Sequence, residues 1–122
     1  MSMQGFNAGP LTYKAAAEVA ANLLVTLTST AGSVDLCGDS GFPVGVSTDL
    51  IASGAYGAFQ PMRGRILVTA SAEIAAGDFV VAAASGQVAP ETEVTTRTAF
   101  TIGQAETAAA DAGATFWMVC LL

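Results

Sequence analysis

The chain has 122 residues and a mass of 12.2 kDa, enough for one core and too little for two ordinary domains. Hydrophobic residues make up 52% and charged residues only 11%, against about 25% charged in average soluble domains, which excludes disorder and points to a surface that other subunits cover. Four Lys and Arg against ten Asp and Glu give a net charge of -6, so nucleic acid is excluded as a partner, because binding to phosphate rests on clustered cations.

Residues 1–11 contain Gly5, Gly9 and Pro10 and show no periodicity; they are expected to form an extended arm. Residues 1–13 hold no basic cluster followed by a hydrophobic stretch, so no secretory signal is expected. The segment Ala17-Glu18-Val19-Ala20-Ala21-Asn22-Leu23-Leu24-Val25 returns later as Ala72-Glu73-Ile74-Ala75-Ala76-Gly77-Asp78-Phe79-Val80, with five identities. Phe42-Pro43-Val44-Gly45 returns as Phe100-Thr101-Ile102-Gly103, and Ser53-Gly54-Ala55 as Ala112-Gly113-Ala114. All three blocks keep their order, as expected of a duplicated half. Residues 12–122 then form a single β domain of two pseudo-repeats, about 12–62 and 63–122, joined near Pro61 and Gly64.

The duplication bears on a local ambiguity. Residues 14–24 are rich in Ala, Leu and Glu and favour helix on propensity. Their later copy carries Gly77-Asp78, a turn signal, before the β-rich Phe79-Val80-Val81. Asn22 stands where Gly77 stands, and Asn and Gly are the residues that most readily take positive φ. Both copies are therefore expected to turn there and enter a strand, with a short helix at 15–21 as the alternative.

Strand signals occupy residues 24–30, 65–71 and 79–84; a Ser85-Gly86 turn then leads into a strand at 87–89. In residues 92–102, Val94, Thr96, Thr98, Phe100 and Ile102 share one face at period two, predicting a strand with Glu93 and Arg97 on its solvent side. The closing strand is expected at 115–121, with Phe116, Trp117 and Met118 in the core. Pro10, Pro43, Pro61 and Pro90 fall at element boundaries, where a missing donor is harmless. The expected fold is all-β: a compact barrel or sandwich built from two similar halves, with the arm at its start.

The longest apolar runs, 79–84 and 116–122, are far shorter than the roughly twenty residues a bilayer-spanning helix needs, so no membrane partner is expected. Chemistry finds little support. The chain has no histidine, which removes the commonest general base and metal ligand. Cys37-Gly38-Asp39-Ser40-Gly41-Phe42-Pro43 resembles the nucleophile segment of trypsin-like proteases, but Ser40 has no histidine to take its proton and is read as part of a turn. Asp35 with Asp39, and Glu91 with Glu93, offer too few oxygens for a hard cation and are read as solvated faces. Cys37 and Cys120 lack the short spacing of zinc or redox motifs and are read as buried thiols, with a disulfide as the alternative. No catalytic residue, metal or cofactor is expected. Arg63-Gly64-Arg65, the only basic cluster, either docks on a neighbouring subunit or pairs with acidic groups of its own fold.

The second copy, with Ser85-Gly86-Gln87-Val88, Ile102-Gly103-Gln104-Ala105-Glu106 and a terminal alternating strand, resembles the small capsid decoration, or cement, proteins of tailed bacteriophages. The first copy echoes the same order through Gly45 and Gly54, though it carries Asn22-Leu23 in place of the Gly-Asp pair. The resemblance implies a noncatalytic protein made in the host cytoplasm that sits on the outer surface of the virion. It further implies a homotrimer that clamps neighbouring subunits of the major capsid protein. Candidate capsid contacts are Gln4, Phe6 and Asn7 in the arm, with Arg63 and Arg65. A β-sandwich binding module, such as a carbohydrate-binding head fibre or surface domain, is the alternative. Only nine aromatic residues serve the whole chain, and most are expected in the core rather than on a sugar platform.

Overall fold

Two positive-φ residues start equivalent strands in the two halves. Asn22 (φ 62°) and Gly77 (φ 91°) end the Ala-rich segments, after which the chain enters β2 (Leu24–Leu27) and β7 (Phe79–Ala82). The computed structural model describes residues 11–122. No helix forms at 15–21. The segment is shorter than the roughly 12 residues below which isolated helices are marginal. Its Val19 instead exchanges backbone hydrogen bonds with Ile51, as Ile74 does with Ala109 in the second half.

The first half consists of β1 (Leu11–Ala15), β2, β3 (Ser33–Leu36), β4 (Gly45–Ser47) and β5 (Tyr56–Pro61). These close into a barrel in the order β1-β3-β2-β4-β5, with β1 and β3 parallel and the other pairs antiparallel. The second half has β6 (Arg65–Thr69), β7, β8 (Val88–Pro90), β9 (Thr101–Ala105) and β10 (Thr115–Cys120), in the order β6-β10-β9-β7-β8. Its two edges meet in one parallel bridge, Ala70 to Val88, the counterpart of the β1–β3 pairing. The pairings of the two halves thus correspond one for one, down to Gly54 (φ 80°) and Gly113 (φ 88°), whose N–H groups donate to Ala15 and Ala70. The fold is all-β and built from two similar halves, joined between Pro61 and Arg65 through Gly64 (φ 66°).

One strand expectation is corrected. The strand over 92–102 is confined to β9; residues 91–100 are irregular. Threonines there hydrogen-bond locally, Thr98 N donating to Thr101 Oγ1 at 2.8 Å and Phe100 N to Thr98 Oγ1 at 3.1 Å, and such bonds compete with a sheet ladder. Strands β1, β3, β4 and β5 carry weak signals: β4 is three residues, all buried, without alternation, and β5 contains both Gly57 and Pro61. The arm assigned to residues 1–11 falls outside the described residues except for Leu11, which pairs with Phe59 in β1.

Buried side chains form two clusters. Ala15, Val19, Val25, Val34, Ile51 and Phe59 fill the first barrel. The second cluster, around Ile66, Val68, Ile74, Ile102, Phe116 and Met118, is continuous with Leu24, Cys37 and Val46 of the first half. Each of the larger side chains contributes about 1.5–3 kcal/mol by its burial, so the contact between the halves is part of the core.

Candidate functional site

The chemistry-bearing residues are dispersed. Ser40 (φ 55°) lies in a turn and its N–H donates to Ala82 O at 2.9 Å. Asp35 turns one carboxylate oxygen to Leu36 N at 2.8 Å. Among the described residues no three of His, Cys, Asp or Glu gather closely enough to hold a metal ion. Cys37 is buried and Cys120 half-buried; both are free. Burial pushes both thiols up, which keeps them protonated, and so weakly nucleophilic, at neutral pH.

Glu91 departs from its expected place on a solvated face. Its carboxylate is buried and accepts hydrogen bonds from Thr98 Oγ1, at 2.7 Å, and from Thr101 Oγ1. It thereby clamps the irregular loop 92–100, whose last residue is Phe100. Glu91→Ala would strand the buried Thr101 hydroxyl and is expected to cost about 2–3 kcal/mol in urea unfolding, with Glu91→Gln, which keeps an acceptor, costing less.

The clamp holds an exposed aromatic pair. The rings of Phe42 and Phe100, which open the corresponding blocks of the two copies, stack at 6.3 Å between centroids and 23° between planes. Both rings stay about half exposed, at 53% and 49%. Of the aromatics described, Phe59 and Phe116 are buried, Tyr13, Phe79 and Trp117 are half-buried, and Phe42, Tyr56 and Phe100 are exposed, so fewer sit fully in the core than expected.

Trp117 is also corrected. Phe116 and Met118 point into the core, and Trp117 between them points outward, as alternation on a strand requires. It lines a cleft of about 240 Å³ between the halves with Asn22, Ser47, Gln60, Arg65 and Leu67. Arg65 lies over its ring at 4.2 Å and pairs with Glu106. Both partners of this ion pair are substantially exposed, so it orients Arg65 more than it stabilises the fold. Arg63 is exposed and makes no ion pair among the described residues. Gln4, Phe6 and Asn7 lie outside the described residues.

No curated protein sequence matches the chain. Among solved structures, the fold is similar to that in "The crystal structure of head fiber gp8.5 N base in bacteriophage phi29", with a TM-score of 0.77 and 18% sequence identity. That likeness covers 91% of this chain and 92% of the other, and at such identity it shows the fold alone. The all-β body leaves aromatic side chains exposed for contact, and the family match makes it a structural protein of the phage virion. The chain belongs to the phage cement protein family, which it matches over residues 3–121.

Proposed function

We propose that this protein decorates the outer surface of a phage capsid as a homotrimer and stabilises the shell by bridging subunits of the major capsid protein. The observation that carries the reading is the family match over nearly the whole chain. The surface supports it. Phe42, Phe100, Leu50 and Tyr56 are exposed on a body with few charges, and such apolar exposure favours contact with other subunits. Each contact can be small, because a trimer that touches several capsid subunits gains from effective concentration. Binding to the assembled shell and not to free subunits stabilises the shell by mass action. The arm residues Gln4, Phe6 and Asn7, with Arg63 and Arg65, are the proposed contacts. The chain is made in the host cytoplasm and joins the head there.

Mixing the purified protein with undecorated heads and sedimenting them tests this reading. Saturable co-sedimentation and heads that resist a higher temperature are expected, with lower occupancy when residues 1–10 are deleted. Protein that stays in the supernatant at every concentration overturns the reading.

A further inference from the structure

The two halves meet through unlike surfaces. The first half offers its Asn22 turn together with Cys37, and the second receives them on β6 and the Ala84–Gly86 turn. Thr69 Oγ1 donates to Asn22 O at 2.9 Å, Gly86 N to Cys37 O at 2.8 Å and Ser40 N to Ala82 O at 2.9 Å. The fit is tight enough that a Cβ on Gly86 would lie 2.7 Å from Leu24 O.

Every receiving position has a counterpart in the first half. Lys14 pairs with Tyr56 as Thr69 pairs with Thr115, and Leu27 pairs with Val34 as Ala82 pairs with Val88. Gly32 (φ 73°) takes the place of Gly86 (φ 75°). These counterparts are open. Lys14 is exposed, Leu27 is 56% and Tyr56 72% exposed, and among the described residues nothing stands within 4 Å of a Cβ built on Gly32. Beside them runs a groove of about 280 Å³ lined by Thr12, Lys14, Ser33, Ser53 and Tyr56.

We propose that this face of the first half receives the Gly77 turn of a second copy of the chain, so that copies associate head to tail. The occupant follows from the duplication, because the Gly77 turn is the counterpart of the Asn22 turn that fills the equivalent face within the molecule. The exchanged residues are complementary. Inside the chain, the offered Leu23 and the receiving Thr69 are both neutral; their counterparts are Asp78 and Lys14, opposite in charge. Gly77 is exposed and its carbonyl already accepts Gln104 Nε2 at 3.0 Å, while Asp78 Oδ2 accepts Ala75 N at 3.0 Å, so the second carboxylate oxygen of Asp78 is the group that meets Lys14. Such a contact is heterologous, and copies joined by it close into a ring or continue as a filament.

This contact deepens the trimer part of the reading above, and its test uses free protein without heads, so it fails separately from capsid bridging. Sedimentation velocity is to compare the natural chain, Lys14→Glu, Asp78→Lys and the double variant Lys14→Glu/Asp78→Lys. The natural chain is expected to associate, and each single variant to associate about tenfold more weakly or less, because like charges then face each other. The double variant, which restores opposite charges at every contact of a closed ring, is expected to recover assembly. An unchanged melting temperature for Lys14→Glu, whose side chain is exposed, shows that the effect is not unfolding. A natural chain that stays monomeric, single variants that associate at natural strength, or a double variant that does not recover each overturns the proposal.

Discussion

Phe116→Ala is expected to lower the unfolding free energy by about 3–5 kcal/mol, the range for emptying a buried aromatic site. Phe116 is 1% exposed and lies on β10, which pairs with β6 on one side and β9 on the other. Its ring is surrounded by the rigid floor of the second cluster, where strands held on both sides cannot collapse into the void. Because that cluster runs on into Leu24, Cys37 and Val46, the loss is shared by both halves. One cooperative transition is therefore expected, shifted down by roughly 10–20 °C, in calorimetry or urea unfolding. Two separated transitions would show that the halves do not share a core. A domain of this size has about 5–15 kcal/mol in total, so the variant keeps only a thin margin.

The second large effect is expected at Gly86→Val, and its cause is different. Gly86 has φ 75°, and its Cβ would lie 2.7 Å from Leu24 O and 3.1 Å from both Leu23 Cβ and Leu36 Cδ2. The left-handed conformation alone costs a non-glycine residue about 1–2 kcal/mol. Relief of the clash requires the first half to back away from the second, which breaks the Gly86 N–H to Cys37 O bond and admits water to Leu24. About 3 kcal/mol or more is expected. Gly32→Val supplies the control, with φ 73° and no other described residue within 4 Å of its Cβ, so it carries the conformational cost without the clash. Urea unfolding of both variants, made in the Lys14→Glu background so that self-association does not enter, reads the difference as the contribution of docking between the halves. Equal losses would mean that docking adds nothing to stability.

Much of this architecture was legible in the order of residues. The three repeated blocks anticipated the corresponding pairings of the two halves, and the placement of Asn22 against Gly77 located the positive-φ turns that end the Ala-rich segments. That placement also outweighed helix propensity in residues 15–21, because a propensity sums small local preferences and is overridden where Val19 finds a distant partner in Ile51. The period-two pattern of residues 92–102 misled for the complementary reason. Alternation makes a strand possible, but a strand exists only where a neighbour offers a ladder, and here the threonines bind Glu91 and each other.

What the sequence determined by itself was therefore the all-β class, the duplication, the turn positions and the lack of a histidine-based site, since each depends on residue type or on short spacing. Only the tertiary structure decided which face of each half is covered. It buries Glu91, turns Trp117 into the cleft, leaves Phe42 and Phe100 stacked in the open, and closes over Gly86 while leaving Gly32 bare. The physical reason is that two nearly equivalent halves cannot each cover the other through the same surface once they dock head to tail. The choice of surface is made by contacts between residues far apart in the chain, to which local pattern is blind.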